Sequence, residues 1–410
     1  MADKSFLKAE IEKVLAQPAE KISVVQLVDL FVEYAYLLRA SDVHIQPEEK
    51  IVRIRFRIDG VLHDVFEKIG INKTVHTEMI SRIKVLTGLR TDEHLTPQDG
   101  RFKVGTKDFG DLNVRVSIIP TYHGENAILR ILAETQQFTV ETLGFAPADL
   151  KKLQNAIGKP YGMILANGPT GSGKTTTLYT ILRQLNEPGV SIITIEDPIE
   201  YALDGTTQIQ TNMDTGLTFA SGLRSILRQD PNIIMVGEIR DEETAAIAVN
   251  AALTGHLMLS TLHTNDAATT FPRLLDMGVP PFLVASTVNL VIGQRLIRKL
   301  CEHCKIERKL TADEFKGLKE IIPEVDEKMH FHAAKGCDIC HQSGYESRVA
   351  VREIIEVKDD IRELITNRAS AQAIKEAAIR GGMTTMIRQA LIKASEGQTS
   401  IEEILRVVNE

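Results

Sequence analysis

A glycine-rich run near the middle of the chain restricts the fold more than any other feature of the sequence. Residues 168–175 read Gly-Pro-Thr-Gly-Ser-Gly-Lys-Thr and match the pattern G-x-x-x-x-G-K-[ST] in full. An apolar run at 161–166 precedes them, and a helix-compatible stretch at 175–185 follows. The pattern requires this order of strand, loop and helix. The sequence therefore predicts a loop that binds the phosphates of a nucleotide.

Each residue type in this loop has a chemical reason to be there. Glycines allow backbone amides to point at phosphate oxygens, and the N-terminus of the next helix attracts negative charge. Lys174 is predicted to contact the β- and γ-phosphates of ATP, and the Thr175 hydroxyl to bind Mg²⁺. The predicted nucleotide-binding residues are Gly168, Pro169, Thr170, Gly171, Ser172, Gly173, Lys174, Thr175 and Thr176. An ordinary glycine-rich turn is the alternative, and the complete pattern in its context argues against it.

Short apolar runs alternate with helical patterns from about residue 145 to 295. The strand-like runs are 161–166, 191–195, 233–236 and 257–261. Strands that alternate with helices are typical of a mainly parallel sheet with helices on its faces. This part of the chain is therefore predicted to be of the α/β class.

The N-terminal third has a different period. Residues 52–58 alternate apolar side chains with arginines, and the dipeptide Asp59-Gly60 predicts a hairpin turn into a return strand. Further predicted elements are a helix near 75–89 and strands at 100–104, 112–119 and 125–132. This segment is therefore predicted to be an α+β domain.

Acidic residues follow two of the predicted strands. The run 233–236 leads through Gly237 to Glu238, where an acid that acts near Mg²⁺ is expected. The run 191–195 leads to Glu196 and Glu200, and a carboxylate there can hold the attacking water in line with the γ-phosphate. We favour Glu200 for that role. A solvated loop carboxylate is the alternative for each of the two.

Two histidines flank the run 257–261. His263, at its polar end, is predicted to contact the γ-phosphate, whereas His256, at its start, is predicted to be structural. Without the other motifs, a structural role would be the better interpretation of both.

The four cysteines of the chain form two close pairs. Cys301 and Cys304, and Cys337 and Cys340, follow the spacing C-x₂-C … C-x₂-C, with residues 305–336 between the pairs. Four thiolates complete a tetrahedral Zn²⁺ shell, and in a cytosolic protein this is favoured over two disulfides. The intervening segment is longer than in common zinc ribbons. His303, His332 and His341 lie nearby, but we predict a Cys₄ site.

Composition excludes several classes of protein. Hydrophobic residues make up 43% of the chain and charged residues 25%, which excludes disordered, collagen-like and disulfide-scaffold proteins. The net charge, 48 − 55 = −7, gives no support for a nucleic-acid partner. No apolar run approaches the ~20 residues that span a bilayer, and no apolar segment follows the N-terminal Met-Ala-Asp-Lys. A cytoplasmic protein without a secretory signal is therefore expected.

Together, these motifs resemble those of a known family. The phosphate loop extends to 168–177 and is followed by Ile-Glu-Asp-Pro-Ile-Glu at 195–200, Leu-Arg-Gln-Asp-Pro at 227–231, Gly-Glu-Ile-Arg-Asp at 237–241 and Ser-Thr-Leu-His-Thr-Asn-Asp-Ala at 260–267. They resemble the Walker A, Asp box, Walker B and His box of secretion-superfamily ATPases. The segments 40–45, 97–102 and 114–117 resemble the N-terminal half of the motor unit in the type II secretion and type IV pilus assembly branch (GspE/PilB type).

The resemblance implies a particular architecture. It is a RecA-like P-loop ATPase domain of the α/β class, joined to an N-terminal α+β domain and carrying a tetracysteine zinc module. The expected divisions are an N-terminal helical extension (1–21), an α+β motor domain (22–135), a linker (136–145) and the ATPase domain (146–410), which includes the zinc module (296–350) and C-terminal helices (351–410). Thr399 and Glu402 are spaced as a capping box for the last helix.

The resemblance also implies a function. Such proteins are homo-hexameric rings that hydrolyse ATP with Mg²⁺, lie at the cytoplasmic face of the inner membrane as peripheral proteins, and act on a platform protein in that membrane. Each nucleotide lies between the two domains of a subunit. Arg101 and Arg115 match family positions that approach the phosphates, and an arginine there stabilises the transition-state charge. Retraction-type pilus ATPases lack the tetracysteine module, which favours an assembly or secretion motor.

Two alternatives stay open. One is a nucleotide-gated ring scaffold with little turnover, and the other is a DNA-uptake or retraction-type motor. The presence of Lys174, Glu200 and Glu238 favours the hydrolysing motor. A DNA translocase is more distant, because the chain is acidic and no nucleic-acid partner is expected.

Overall fold

The computed structural model of this chain describes residues 4–66, 71–106, 109–132, 138–326 and 328–409. Two compact units divide the chain, the first being Met1–Gln136 and the second Gln137–Glu410. Among the described residues, none of the helices combines the length and the apolar character needed to cross a membrane.

The first unit is an α+β fold, as the alternating pattern predicted. Its elements are α1 (Lys4–Leu15), α2 (Val24–Leu37), β1 (Ala40–Pro47), β2 (Val52–Ile58), β3 (Val61–Asp64), α3 (Lys73–Thr87), β4 (Gln98–Thr106), β5 (Gly110–Thr121) and β6 (Gly124–Leu132). The strands form one antiparallel sheet in the order β3-β2-β1-β6-β5-β4. The apolar residues of β2 are buried and join the apolar side chains of the helices in one core. Its arginines lie on the opposite face, because successive side chains alternate along a strand.

The second unit contains the phosphate-loop motif. Its elements are α4 (Pro147–Ile157), β7 (Gly162–Asn167), α5 (Lys174–Leu185), β8 (Ile192–Glu196), β9 (Thr207–Gln210), α6 (Phe219–Ile226), β10 (Ile233–Val236), α7 (Glu242–Leu253), β11 (Leu257–Leu262), α8 (Thr270–Asp276), α9 (Pro281–Thr287), β12 (Val288–Leu300), β13 (Ile306–Arg308), α10 (Ala312–Ile321), β14 (Phe331–Ala333), β15 (Tyr345–Glu356), α11 (Asp359–Thr366), α12 (Ala371–Arg380), α13 (Met386–Ser395) and α14 (Ile401–Asn409).

A seven-stranded sheet forms the centre of this unit, in the order β15-β12-β7-β11-β10-β8-β9. All its neighbouring pairs are parallel except β12 with β15. Every residue of β7 and of β11 is buried, as expected for strands covered by helices on both faces. The predicted α/β class is confirmed, and each of the four predicted strands is present.

The sheet extends beyond the predicted strands. β12 and β15 flank the cysteine-rich segment and pair with each other over most of their length. Residues 351–356, which were expected to begin the helical C-terminal segment, belong to β15, and four helices follow them. The reason is that a short apolar run within a longer mixed sequence has no clear period, so only its pairing with β12 decides between strand and helix.

The last helix also begins differently from the prediction. The Ser400 hydroxyl, rather than that of Thr399, accepts a hydrogen bond from the Glu403 amide at 3.3 Å. Thr399 instead donates to the Arg298 carbonyl at 2.8 Å. Its hydroxyl is therefore committed to β12, and the expected capping box of Thr399 with Glu402 is wrong.

Candidate functional site

The phosphate-loop motif lies between β7 and α5 and is packed closely against β12. A Cβ atom at Gly168 would lie 2.3 Å from the Gln294 carbonyl oxygen, and one at Gly173 would lie 2.8 Å from Gln294 Nε2. Both glycines have positive φ, +138° and +86°, which side chains disfavour. The motif therefore needs these two glycines for packing as well as for its turn. Thr175 and Thr176 lie half-buried in the first turn of α5.

The motif lysine is directed into its own loop. Lys174 Nζ donates hydrogen bonds to the carbonyl oxygens of Gly168 at 2.7 Å and Pro169 at 3.0 Å. Burial lowers the pKa of Lys174, and the negative charge of Glu238 only partly opposes this. A buried ammonium held by carbonyl dipoles is available to a phosphate, which is a stronger acceptor than a carbonyl.

Glu238 is surrounded by cationic and polar groups. Its carboxylate contacts the Arg240 guanidinium, and its Oε2 lies 3.2 Å from His263 Nε2. Burial by itself raises the pKa of Glu238, but Arg240, His263 and Lys174 outweigh it and hold the pKa below its ordinary value. Glu238 is therefore an anion at neutral pH. Arg240 in turn approaches Asp197, which follows β8, at 4.0 Å.

These groups meet because their strands are parallel neighbours. In the sheet, β7, β11, β10 and β8 lie side by side with matched registers. Their carboxyl ends therefore lie along one edge, where ligands bind in open α/β sheets. The structure thus brings together Lys174, Glu238 and His263 from separate parts of the chain.

The two acids that follow β8 differ in their surroundings. Glu196 is buried and accepts hydrogen bonds from the Tyr179 hydroxyl, from Thr194 Oγ1 at 2.6 Å and from Gln208 Nε2 at 3.2 Å. It therefore ties α5 to β8. Glu200 is only half-buried, and its backbone hydrogen-bonds to Tyr179.

The histidines also differ. The His263 side chain is 51% exposed at the carboxyl edge, beside Glu238. A ring nitrogen of His256 lies 3.0 Å from the Ala251 carbonyl oxygen, at the end of α7. The geometry of His256 thus fits a structural role.

Sequence reasoning did not find three residues of this region. Arg240 contacts Glu238, whereas Gln294 and Arg352 bond behind the phosphate loop. The sequence carried little signal for the last two, because each stands in a mixed run beside another polar residue, Arg295 or Glu353.

The four cysteines converge on one point from the two C-x₂-C pairs. Their sulfur atoms all lie within 4.8 Å of one another, and no other metal-binding group of this kind occurs among the described residues. The Sγ–Sγ separations include 3.9 Å for Cys301 with Cys337, and 3.7 Å for Cys304 with Cys340. Tetrahedral thiolates with Zn–S bonds of about 2.3 Å stand about 3.8 Å apart. The donor set therefore fits one tetrahedral metal ion.

Backbone amides support one of these sulfurs. Cys340 Sγ accepts hydrogen bonds from the amides of Cys337 and Gly344, both at 3.2 Å. Burial raises the pKa of the Cys340 thiol, but these amides, together with the neighbouring Cys337 and Cys304 thiols, outweigh it and lower the pKa to about 7. An acidic thiol of this kind is a good metal ligand, because the thiolate is the form that coordinates.

The first unit contains a row of arginines across its sheet. The strand registers place Arg57, Asp42, Arg130, Arg115 and Arg101 opposite one another in sequence from β2 to β4. Cross-strand partners point to the same face, so this row lies opposite the core. The buried Asp42 carboxylate accepts from Arg130 Nε at 2.9 Å and lies 3.7 Å from Arg57 Nε.

A complete phosphate-loop motif at the carboxyl edge of a parallel sheet, with an anionic Glu238 in the electrostatic field of Lys174, defines the class of P-loop ATPases. Comparison with known proteins narrows the class. The family described as Type II/IV secretion system protein matches residues 17–406. The chain belongs to this family and is an ATPase, and the resemblance inferred from the motifs is confirmed.

Individual proteins of known family support this assignment. The chain is 43% identical over 406 residues to the type IV pilus assembly ATPase PilB of Myxococcus xanthus, covering 98% of this chain and 71% of that one. It is 43% identical over 388 residues to the type II secretion system protein HxcR of Pseudomonas aeruginosa, covering 94% and 78%. A crystal structure of the pilus retraction motor PilT with bound ADP shares the fold, with a TM-score of 0.63, 25% identity and coverage of 93% and 96%.

Proposed function

We propose that this protein is a cytoplasmic, hexameric motor at the inner membrane, which hydrolyses ATP to drive pilin or pseudopilin assembly through a platform protein. The names of its relatives, pilus assembly ATPase and type II secretion protein, support this pathway. The observation that carries the proposal is the meeting of Lys174, Glu238 and His263 at one sheet edge. A site that only bound nucleotide would not require the paired acid and histidine.

The proposed roles follow from this geometry. Residues 168–176 bind the phosphates of ATP, with Lys174 moving from its loop carbonyls to the β- and γ-phosphates. When Mg²⁺ is bound, the Thr175 hydroxyl would ligate it, and Glu238 would supply a negative charge close to it. His263 contacts the γ-phosphate. Glu200 orients the attacking water, because Glu196 is already bonded to three side chains.

Arg101 and Arg115 are proposed to stabilise the charge of the transition state. In their cross-strand row, a single carboxylate, that of Asp42, faces both Arg57 and Arg130, so the row as a whole carries net positive charge. Adjacent like charges repel each other, so a polyanion that binds there relieves this repulsion. The phosphates of ATP supply such a polyanion.

Zn²⁺ is the proposed ion of the four-cysteine cluster. The four sulfur atoms fit a closed tetrahedral shell, which is typical of structural rather than catalytic zinc. When bound, zinc would cross-link the two ends of the segment 301–340. We propose that it holds this segment against β12 and β15.

A phosphate-release assay tests the motor against the scaffold. Wild-type protein should turn over Mg²⁺-ATP, and the platform protein should increase the rate, whereas Lys174→Ala and Glu238→Gln should each lose most of this turnover. Sedimentation with nucleotide should show a hexamer. Absence of turnover even with the platform protein would support a nucleotide-gated scaffold instead.

A retraction or DNA-uptake motor is the second candidate, and the structural match to PilT is the observation that favours it. Identity to the pilus assembly ATPase is higher, 43% against 25%. Complementation separates the two pathways, since an assembly motor should restore pili in a strain that lacks its own assembly ATPase. Restored retraction alone, or tight salt-sensitive DNA binding, would favour the second candidate.

A further inference from the structure

Gln294 of β12 holds the phosphate loop from behind. Its Nε2 donates to the Ser172 carbonyl at 2.7 Å, and its Oε1 accepts from the Thr177 hydroxyl at 2.9 Å. One carboxamide thus bonds both the loop backbone and the first turns of α5. Because Gln294 is only 2% exposed, water does not compete for these bonds.

Arg352 of β15 lies opposite Gln294 in the strand register and extends the chain of bonds. Its Nε donates to Gln294 Oε1 at 2.8 Å, and its Nη1 donates to the Leu143 carbonyl at 3.0 Å. The guanidinium also stacks on the Phe145 ring, 4.1 Å from the ring centre. Arg352 therefore joins the phosphate loop to residues 143–145, which lie just before α4.

A charge in this position is costly. Arg352 is 3% exposed, and burial lowers its pKa to about 10, although Asp149 opposes this. The two side-chain hydrogen bonds of Arg352 described above go to neutral oxygens. Neither of them is an ion pair that would compensate for the desolvation of the guanidinium. An apolar side chain would fill the same space at lower cost, but it would not hold Gln294 and Leu143 together.

From this network we infer that Gln294 and Arg352 are positioning residues, which set the shape of the phosphate loop and couple it to residues 143–145. The inference rests on the proposed nucleotide site and adds residues outside its motifs. Gln294 holds the Ser172 carbonyl away from the phosphates, so that the loop amides point toward them. Nucleotide binding, in turn, tightens the bond from Arg352 to Leu143.

Titration of the full chain with Mg²⁺-ADP tests the inference. Gln294→Ala and Arg352→Gln should each weaken binding about tenfold, because one buried hydrogen-bond chain is broken in both. The double variant should be no weaker than either single variant, whereas independent residues would multiply to about a hundredfold. Arg352→Lys should recover part of the affinity. In steady-state assays KM should rise while kcat changes less than about twofold.

Hydrogen exchange provides a measure that a purely structural role would not change. Mg²⁺-ADP should slow exchange of the amides in 143–146 in wild-type protein and have no such effect in Arg352→Gln. Thr177→Val, which keeps the shape of the side chain, serves if a larger change prevents folding, and it should weaken ADP binding about threefold.

Gln389→Ala is the matched control. Gln389 bonds the Arg352 amide and Asp149, and neither of these two hydrogen bonds involves the phosphate loop. It should leave ADP affinity unchanged. Unchanged affinity in Gln294→Ala and Arg352→Gln, or additive losses, would overturn the inference while leaving the nucleotide site intact. If wild-type protein bound no Mg²⁺-ADP, the proposed function would fail as well.

Discussion

The cysteine cluster and the nucleotide site were both predicted from short motifs, yet they are built differently. The four cysteines supply the whole ligand set, and their sulfurs meet from two pairs that are each three residues apart. The phosphate loop supplies only part of its site. Glu238 follows β10, His263 follows β11, and Gln294 lies in β12, so the rest of the site comes from three other strands.

The difference shows what a motif can determine. A C-x₂-C pair fixes both the ligand chemistry and the local geometry. With two such pairs, the sequence leaves undetermined only how the intervening segment folds to bring them together. A phosphate loop fixes backbone shape, but the charges around it depend on strand order. Removing a member should therefore affect folding at the first site and catalysis at the second.

Loss of metal should have the largest effect. Cys304→Ser is expected to abolish zinc binding and unfold the segment 301–340 of the zinc module, because a structural zinc ion contributes about 10 kcal/mol or more to folding. Elemental analysis should find about one zinc per wild-type chain and none in the variant. Limited proteolysis should then cut within the module.

His303→Ala is the control for this prediction. His303 is exposed, lies between two of the cysteines and is absent from the cluster. It should retain zinc and resist proteolysis. Wild-type protein that is stable without metal would refute a structural role for the ion.

Lys174→Ala should have the opposite effect, with a large loss of turnover and no loss of stability. Turnover should fall to background, at least about a thousandfold, because the transferred phosphate loses its main cation. The melting temperature should stay equal or rise, since burial lowers the pKa of Lys174 and its removal ends that desolvation cost. Phosphate release and calorimetry measure the two effects.

The exposed Lys358 is a control, and Lys358→Ala should change neither turnover nor melting temperature. A large loss of stability in Lys174→Ala would contradict this contrast between the sites.

Glu238→Gln should reduce turnover about a hundredfold or more while ADP binding persists. The folded-state pKa of Glu238 is below its ordinary value, so its charge stabilises the fold above the unfolded pKa of about 4.3. That stabilisation is lost only as the pH falls through the folded pKa. The stability difference between wild-type protein and Glu238→Gln should therefore shrink as the pH falls below about pH 4. Glu243→Gln is the exposed control, and a difference that stayed the same below about pH 4 would contradict this prediction.

The fold was predictable where the local pattern and the tertiary structure agree. The alternation of β2 and the apolar runs of β7, β8, β10 and β11 each predicted a strand that is present. β12 and β15 were missed because their residues lack a period, and their pairing joins segments that are distant in sequence. Thr399 shows the same limit on a smaller scale, since β12 decides which hydroxyl caps α14.

The nucleotide site was likewise predictable only where a short motif marked its residues. Lys174, Glu238 and His263 were predicted from the recognisable strand or loop that each follows, and the structure brings the three residues together. Arg352 was not found, because an arginine beside Glu353 in a mixed run indicates neither its burial nor its partners. Only the register of β12 with β15 reveals that it bonds Gln294.

The arginine row offers the smallest and most specific test. Arg101→Ala and Arg115→Ala should each lower turnover about tenfold to a hundredfold, because they share a role that a single arginine performs in other P-loop enzymes. ATP affinity should change less than about threefold, since their charge matters most in the transition state. Arg53→Ala is the matched control on the same sheet, and its charge is paired with Glu48 at 3.1 Å. Unchanged turnover in both variants would remove Arg101 and Arg115 from the proposed catalytic residues.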